Sequence, residues 1–439
     1  MNWLDFFQEK QPCPFKFGRD INANIAKDEE ELYNKAYEAF DAKEILDAYE
    51  YFLRSLINYS DTISNENIIL DKNETELKFE MIQGSAKING LVTKEHLYAE
   101  VSIVKSKDAS VALKRYILER NYQLTYVNYF SDGQYIKLKL YLDNITLSPQ
   151  KVFFPLRELA LNADFDKEYI LSEFTDVILE DSAHIQNLKE DEIQVKYKHL
   201  KKWIEELNAK VLTLPSNDNA GMQSFLYLNI LFKIDYLLMP RRKMYHKLSK
   251  KIQLYFSDEH TTMESKNDEL NKYVLKLHEM SYEDFATNFY SSKQTFNQTE
   301  KSSYEDVVNF INESLIKVRW YKNNRYAQII PTIYKYIAFN CLYNYGLNPV
   351  VKQLFHTLVE IQNSEFFRDL GCDALYDIGK QEFSKKAIIS KIEKIHNENK
   401  HKFKALKIQT DELNFNSMNE FSNSFYIMLK TLDFEEISI

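Results

Sequence analysis

Leu77-Lys78-Phe79-Glu80-Met81, Leu97-Tyr98-Ala99-Glu100-Val101-Ser102-Ile103 and Ile136-Lys137-Leu138-Lys139-Leu140-Tyr141-Leu142 place an apolar residue at every second position. A period of two puts the apolar set on one face of a strand. Each stretch therefore predicts a strand with one dry and one wet face, as in an antiparallel sheet covered on one side. Asn89-Gly90 and Asp132-Gly133 are residue pairs that accept positive φ, and each predicts a tight hairpin turn. Between the strand groups, Ala109, Ala112, Leu113, Tyr116 and Ile117 recur at helical spacing and predict a helix near 108–121. Ser148-Pro149 reads as a helix start and Pro155 as a kink or restart. Asp166 reads as the start of a further helix, with Ile170, Phe174, Val177 and Ile178 on one face, ending near Leu179.

Upstream, residues 1–27 contain Pro12, Pro14 and Gly18 and read as an extended arm. Trp3, Phe6, Phe7, Phe15 and Phe17 suit it to dock on the protein's own core. Residues 29–42 and 44–59 read as two helices, with Leu32, Ala36, Ala39 and Phe40 on one face and Ala48, Phe52 and Ser55 on the other. The resulting order, α-β-β-β-α-β-β-α over about residues 28–180, with the Tyr135–Leu142 strand running into the Ser148 helix, resembles the type III secretion chaperone-like fold shared with YbjN-like domains. The resemblance is topological and carries no residue motif, so no functional residue transfers with it. It implies a protein that binds other polypeptides, often as a dimer, without catalysis.

From about residue 185 the pattern turns to helical stripes near 190–212, 220–256, 265–290, 303–323, 326–345, 349–362, 365–378 and 381–405. Breaks fall at Pro215, Pro240, 291–303, Gly346, Gly371 and Gly379. Ser303 reads as an N-cap, and Gly346 followed by Asn348-Pro349 as a helix stop and new start. The fold expected is an α+β domain over 28–183, preceded by the arm 1–27 and followed by an all-α helical-hairpin domain over 184–439.

Composition narrows the function. Of 439 residues 44% are hydrophobic and 28% charged, the balance of a globular protein. The net charge of −9 argues against general binding to nucleic acid or anionic membranes. No run of about 18 apolar residues offers a membrane span. The first ten residues lack the pattern of a secretory signal, and the chain is expected in the cytoplasm. Cys13, Cys341 and Cys372 lie far apart without a CxxC pair, against a zinc ribbon or a disulfide scaffold. GxGxxG, GxxxxGK[ST] and GxSxG strings are absent. Asp181-x-x-His184 and Glu393-x-x-His396 set a carboxylate and an imidazole one turn apart, but they fall in different predicted domains. No catalytic residue, cofactor or metal is therefore expected.

One segment invites a partner. Arg241-Arg242-Lys243-Met244-Tyr245-His246-Lys247-Leu248-Ser249-Lys250-Lys251 is a basic amphipathic helix, with Met244, Leu248 and Ile252 as its apolar stripe. Arg241, Arg242, Lys247, Lys250 and Lys251 are the candidate partner-binding residues. The reading that emerges is a non-catalytic, chaperone-like module that binds another polypeptide or a second copy of itself through the α+β domain. The alternatives are an enzyme whose site assembles between the domains from scattered residues, and a nucleic-acid-associated factor using 241–251.

Overall fold

The computed structural model describes residues 15–19, 27–57, 66–174, 177–215, 219–403 and 405–435. Its N-terminal unit is an antiparallel sheet with helices, and a mostly helical region follows. Two helices, α1 (Lys27–Asp41) and α2 (Ile45–Ser55), precede four strands: β1 (Ile68–Lys72), β2 (Leu77–Gln83), β3 (Ala86–Val92) and β4 (His96–Lys105). Helix α3 (Val111–Asn121), strands β5 (Val127–Ser131) and β6 (Tyr135–Asp143), and helix α4 (Pro149–Glu173) complete the unit. The sheet order is β1-β2-β3-β4-β6-β5. It thus has one strand more than the sequence pattern suggests, because β1 is an apolar run without alternation.

Leu77, Phe79, Met81, Leu97, Ala99, Val101, Leu138 and Leu140 all point to the covered face. Across them lies α4, whose Val152, Leu156, Leu159, Ala160 and Ala163 are buried at helical spacing. α4 is one continuous helix of 25 residues, neither restarted at Pro155 nor at Asp166. Asp166 is instead fully buried in mid-helix, accepting from Arg120 Nε (2.8 Å), Tyr116 Oη (2.6 Å) and Tyr129 Oη (2.7 Å). That arrangement ties α3 and β5 to α4.

The turns divide. Asp132-Gly133 forms the β5–β6 hairpin as expected, with Gly133 at φ +93° and Asp132 Oδ1 accepting from the Gln134 and Tyr135 amides. Asn89-Gly90, by contrast, lies inside β3. Gly90 is there because a Cβ would stand 2.1 Å from the Phe79 ring of the neighbouring strand. The β2–β3 turn is made by Gly84-Ser85, with Gly84 at φ +55° and packed against the Asp164 carboxylate, which bonds the Ser85 amide (2.6 Å).

The helical region contains α5 (Glu190–Leu212), α6 (Ala220–Lys233), α7 (Arg242–Ser257), α8 (Met263–Glu279), α9 (Tyr282–Ala286), α10 (Tyr304–Asn323), α11 (Ile330–Asn344), α12 (Pro349–Gln362), α13 (Ser364–Asp369), α14 (Lys385–Asn399) and α15 (Met418–Lys430). A two-residue hairpin, β7 (Tyr376–Asp377) and β8 (Glu382–Phe383), interrupts them. α6 and α11 are apolar nearly all round and pack on each other at the centre. Ser303 and Asn348 cap α10 and α12 as their sequence implies.

Two segments cross the expected division at 183. The arm's described part, 15–19, docks on the helical region. Phe17 is buried against Phe366, Phe367 and His356, and the Gly18 amide donates to Tyr236 O (3.0 Å). Trp3, Phe6 and Phe7 lie outside the described residues. In the other direction, the strap at 291–298 reaches into the sheet unit. Phe296 is 2% exposed within the sheet's core and meets Phe153 edge-on at 5.4 Å. Buried Gln83 accepts from the Thr295 (3.0 Å) and Phe296 (2.7 Å) amides and donates to Phe296 O (3.2 Å). Arg157 donates to the carbonyls of Asn297 and Gln298.

Truncating the strap's anchor should therefore loosen the sheet unit. Phe296→Ala is expected to lower unfolding free energy by about 3–5 kcal/mol, measured by urea titration of the full chain. A fragment ending at residue 183 should melt with poor cooperativity, and regain it when a peptide covering residues 289–300 is added.

Candidate functional site

An antiparallel sheet exposes unpaired backbone groups at its two edges, and each edge is either closed or available. β5 is closed by side chains. Asn121 accepts from the Tyr129 amide (2.7 Å) and donates to Tyr129 O, imitating a neighbouring strand. Glu158 of α4 accepts from the amides of Thr125, Tyr126 and Val127. At β1 the pattern is different. The Ile82 amide donates to Asn67 O and the Asn73 amide to Glu76 O, so the odd-numbered residues of β1 bond β2. The backbone groups of Ile68, Leu70 and Lys72 therefore face away from the sheet, and among the described residues nothing bonds them.

Hollows flank this open edge at both ends. A cleft of about 930 Å³ lies between Glu66, Ile68 and Ile69 on one side and His184, Ser291 and Lys293 on the other. A second, of about 620 Å³, is lined by Leu70, Lys72 and Asn73 with Glu50 and Arg54 of α2. Lys72 anchors the strand to α2 through Asp47 and Glu50 (2.9 Å to Glu50). On the outer face a hollow of about 490 Å³ runs over Ile69, Lys78, Leu91, Tyr98 and Glu100. Ile69 sits between these spaces with 61% of its surface exposed. The arrangement offers main-chain donors and acceptors beside apolar and charged side chains, which suits an extended peptide better than a small reactant.

A buried polar cluster between the sheet unit and the helical region offers the contrasting chemistry. Glu168 Oε2 accepts from the Arg242 amide (2.5 Å), and its Oε1 from Tyr290. Arg19 Nε donates to Asp235 (2.8 Å), and its guanidinium lies over the Tyr245 ring. With its amide turned to suit its neighbours, Gln294 donates to Arg19 O and accepts from Arg241 (2.6 Å). Burial holds the Asp164 carboxyl above its usual range, with the Glu168 charge adding to the effect, and burial pushes Lys167 down to about 8. Lys167 donates to Glu180 O (2.6 Å). These groups bond one another or the backbone, and Arg19 and Asp235 also line a hollow of about 290 Å³ with Tyr236, Tyr245 and Tyr343. The cluster is the closest match to the scattered-residue enzyme reading.

The basic helix is taken apart by the fold. Arg241 is 5% exposed and bonded inside the junction, its amide on Asn288 O (2.7 Å). Arg242, half-buried at φ +53°, donates to Thr287 O (2.8 Å). Lys251 pairs with Glu269 (2.8 Å), while Lys247 and Lys250 are exposed. The five cations do not form one surface. His184 and His396, singled out by their carboxylate spacing, each meet a backbone carbonyl, Gly84 O and Leu406 O (both 3.1 Å). Among the described residues no three His, Cys, Asp or Glu side chains gather to hold a metal ion, and no helix is long and apolar enough to cross a membrane.

No family model matches the chain, and no curated protein matches its sequence. What the sequence reading missed was the edge chemistry. Asn121, Glu158 and Gln83 are single polar residues whose partners lie 8 to 213 positions away, with no local pattern to reveal them.

His246 gives this junction a pH signature. Its ring meets Phe165 edge-on at 4.8 Å, and its Nε2 is buried without a partner. Burial lowers its pKa to about 4. A folded pKa below the unfolded value of about 6.5 means full stability above pH 6.5, lost as pH falls toward 4. His246→Phe is expected to flatten the melting profile over that window, removing a loss on the order of 2 kcal/mol. Calorimetry at a series of pH values checks it.

Proposed function

We propose that the protein is a non-catalytic polypeptide-binding module that captures an extended segment by adding it to the sheet beside β1. The single observation carrying this reading is the asymmetry of the edges. β5 is sealed by Asn121 and Glu158, while β1 turns the backbone groups of Ile68, Leu70 and Lys72 toward open hollows. Main-chain pairing supplies affinity that does not depend on sequence, and the flanking hollows supply side-chain selectivity. The topological resemblance to secretion chaperone-like domains points the same way. A second copy of the chain fits the same edge, β1 against β1, as a symmetric dimer.

The enzyme reading has the cluster of Asp164, Glu168, Arg19 and Arg241 in its favour, but Glu168 is engaged in holding the two halves, Asp164 in the Ser85 turn and Arg19 with Asp235. The nucleic-acid reading loses support because Arg241 and Arg242 are committed to the junction.

Leu70→Pro separates capture from folding. Residue 70 gives its amide to no partner within the sheet, so proline removes an outward donor, which an edge strand tolerates, along with the partial packing of the Leu70 side chain on the core. Screening a library of strand-forming peptides against the full chain should yield binders whose affinity drops at least about tenfold in Leu70→Pro, while the melting temperature stays within about 5 °C. Binders unaffected by the substitution would remove the β1 edge from consideration.

A further inference from the structure

The hollow beside Arg19 is assembled from stretches far apart in the chain. Arg19 comes from the arm, Asp235 and Tyr236 from the turn that ends α6, Tyr245 from α7, Gln298 from the strap and Tyr343 from α11. Its volume of about 290 Å³ lies at the foot of the range for small-molecule sites, about 300–1,000 Å³. That room suits a ligand well below nucleotide size. Asp235 and Tyr236 stand on a single π-helical turn, Ile234–Leu238, which closes at Met239 in the left-handed region (φ +55°). Such turns are rare and recur at functional sites, and a non-glycine residue at positive φ stores strain that its surroundings must hold.

The Arg19 fork is only partly used. Nε donates to Asp235 Oδ1 (2.8 Å), Nη2 donates to Pro240 O, and the guanidinium carbon lies 3.9 Å from the centre of the Tyr245 ring. Nη1 is buried and bonds nothing among the described residues, in a side chain 7% exposed. A buried donor without an acceptor opposes folding unless something supplies one. Asp235 takes the Arg19 bond on one oxygen, and a carboxylate has room for about four. The hydroxyls of Tyr236 and Tyr245 are committed to His356 Nδ1 (2.9 Å) and Gln298 Oε1 (3.2 Å), which leaves their rings as apolar wall.

We propose that this hollow binds a small zwitterion of the α-amino-acid class, its carboxylate on Arg19 Nη1 and the Tyr343 hydroxyl and its ammonium on Asp235. Charge balance selects the class. Arg19 and Asp235 are the charged residues lining the hollow, and as a pair they are neutral. A bare anion or cation would leave one charge unmatched in a partly desolvated space, whereas a zwitterion supplies both partners at no net charge. A primary amide could meet both groups, but charge-assisted hydrogen bonds are about twice as strong as neutral ones. Burial, with the Asp235 charge adding to it, holds the Tyr343 phenol above its ordinary range, so it meets a carboxylate as a donor. Because Arg19 arrives on the arm and Gln298 on the strap, an occupant would fasten both segments to the helical region.

The test is titration calorimetry of the full chain at pH 7 with free glycine, leucine, phenylalanine, glutamate and lysine in turn. Saturable heat is expected with at least one, weakened at least about tenfold when the same amino acid is N-acetylated or converted to its carboxamide. Asp235→Asn keeps an acceptor for Arg19 Nε and removes the charge that holds the ammonium, so binding should again fall at least about tenfold. Tyr343→Phe removes one hydroxyl at a partly exposed position and should weaken binding about threefold to tenfold. It keeps the test open if Asp235→Asn disturbs the fold. Equal binding of the N-acetyl or carboxamide form, binding indifferent to either substitution, or no saturable heat with any of the amino acids would overturn the proposal.

Discussion

The carboxamide of Gln83 holds the two halves of this molecule together. Sealed from water at the end of β2, it accepts two amides from the strap and returns a bond to Phe296 O. A buried amide left without these partners would oppose folding by about 1–3 kcal/mol, so the strap is required by polar chemistry as well as by the volume of Phe296. Once the strap is fixed, Tyr290 is brought to Glu168 and Gln294 to Arg241 and Arg19, and the charged junction closes. Phe17 works in the opposite direction, carrying the start of the chain into the helical core. The halves are interlocked by exchange of segments.

That interlocking explains why the charged residues of the junction read poorly as a catalytic site. A carboxylate and a guanidinium buried together need multiple bonds to offset desolvation, and here each finds them within the protein. The same requirement pulled Arg241 out of the surface patch that its neighbours suggest. A run of cations in sequence says nothing about which of them the fold will spend inside.

Strands β2, β4 and β6, the Asp132-Gly133 turn and the capped helices α10 and α12 were legible because each depends on residues within one turn or one strand. The errors have a common physical origin in longer-range contacts. Gly90 serves the Phe79 ring and not a turn, and Asp166 caps nothing because Arg120, Tyr116 and Tyr129 claim it in mid-helix. The segment 291–303 looked like a break because an extended strap has no period of its own. The open β1 edge escaped notice for a related reason: Ile68-Ile69-Leu70 carries no alternation, and its value lies in what fails to pair with it.

The side-chain closure of β5 has a bearing on assembly. Edge-to-edge growth of sheets needs two competent edges per molecule, one to receive and one to extend. With Glu158 and Asn121 occupying the Val127 and Tyr129 amides, the six-stranded sheet keeps one competent edge among the described residues. Contact between two such edges is self-complementary and closes on itself. A sheet with one open edge can pair once and cannot propagate into a filament, because the first pairing consumes its only open valence.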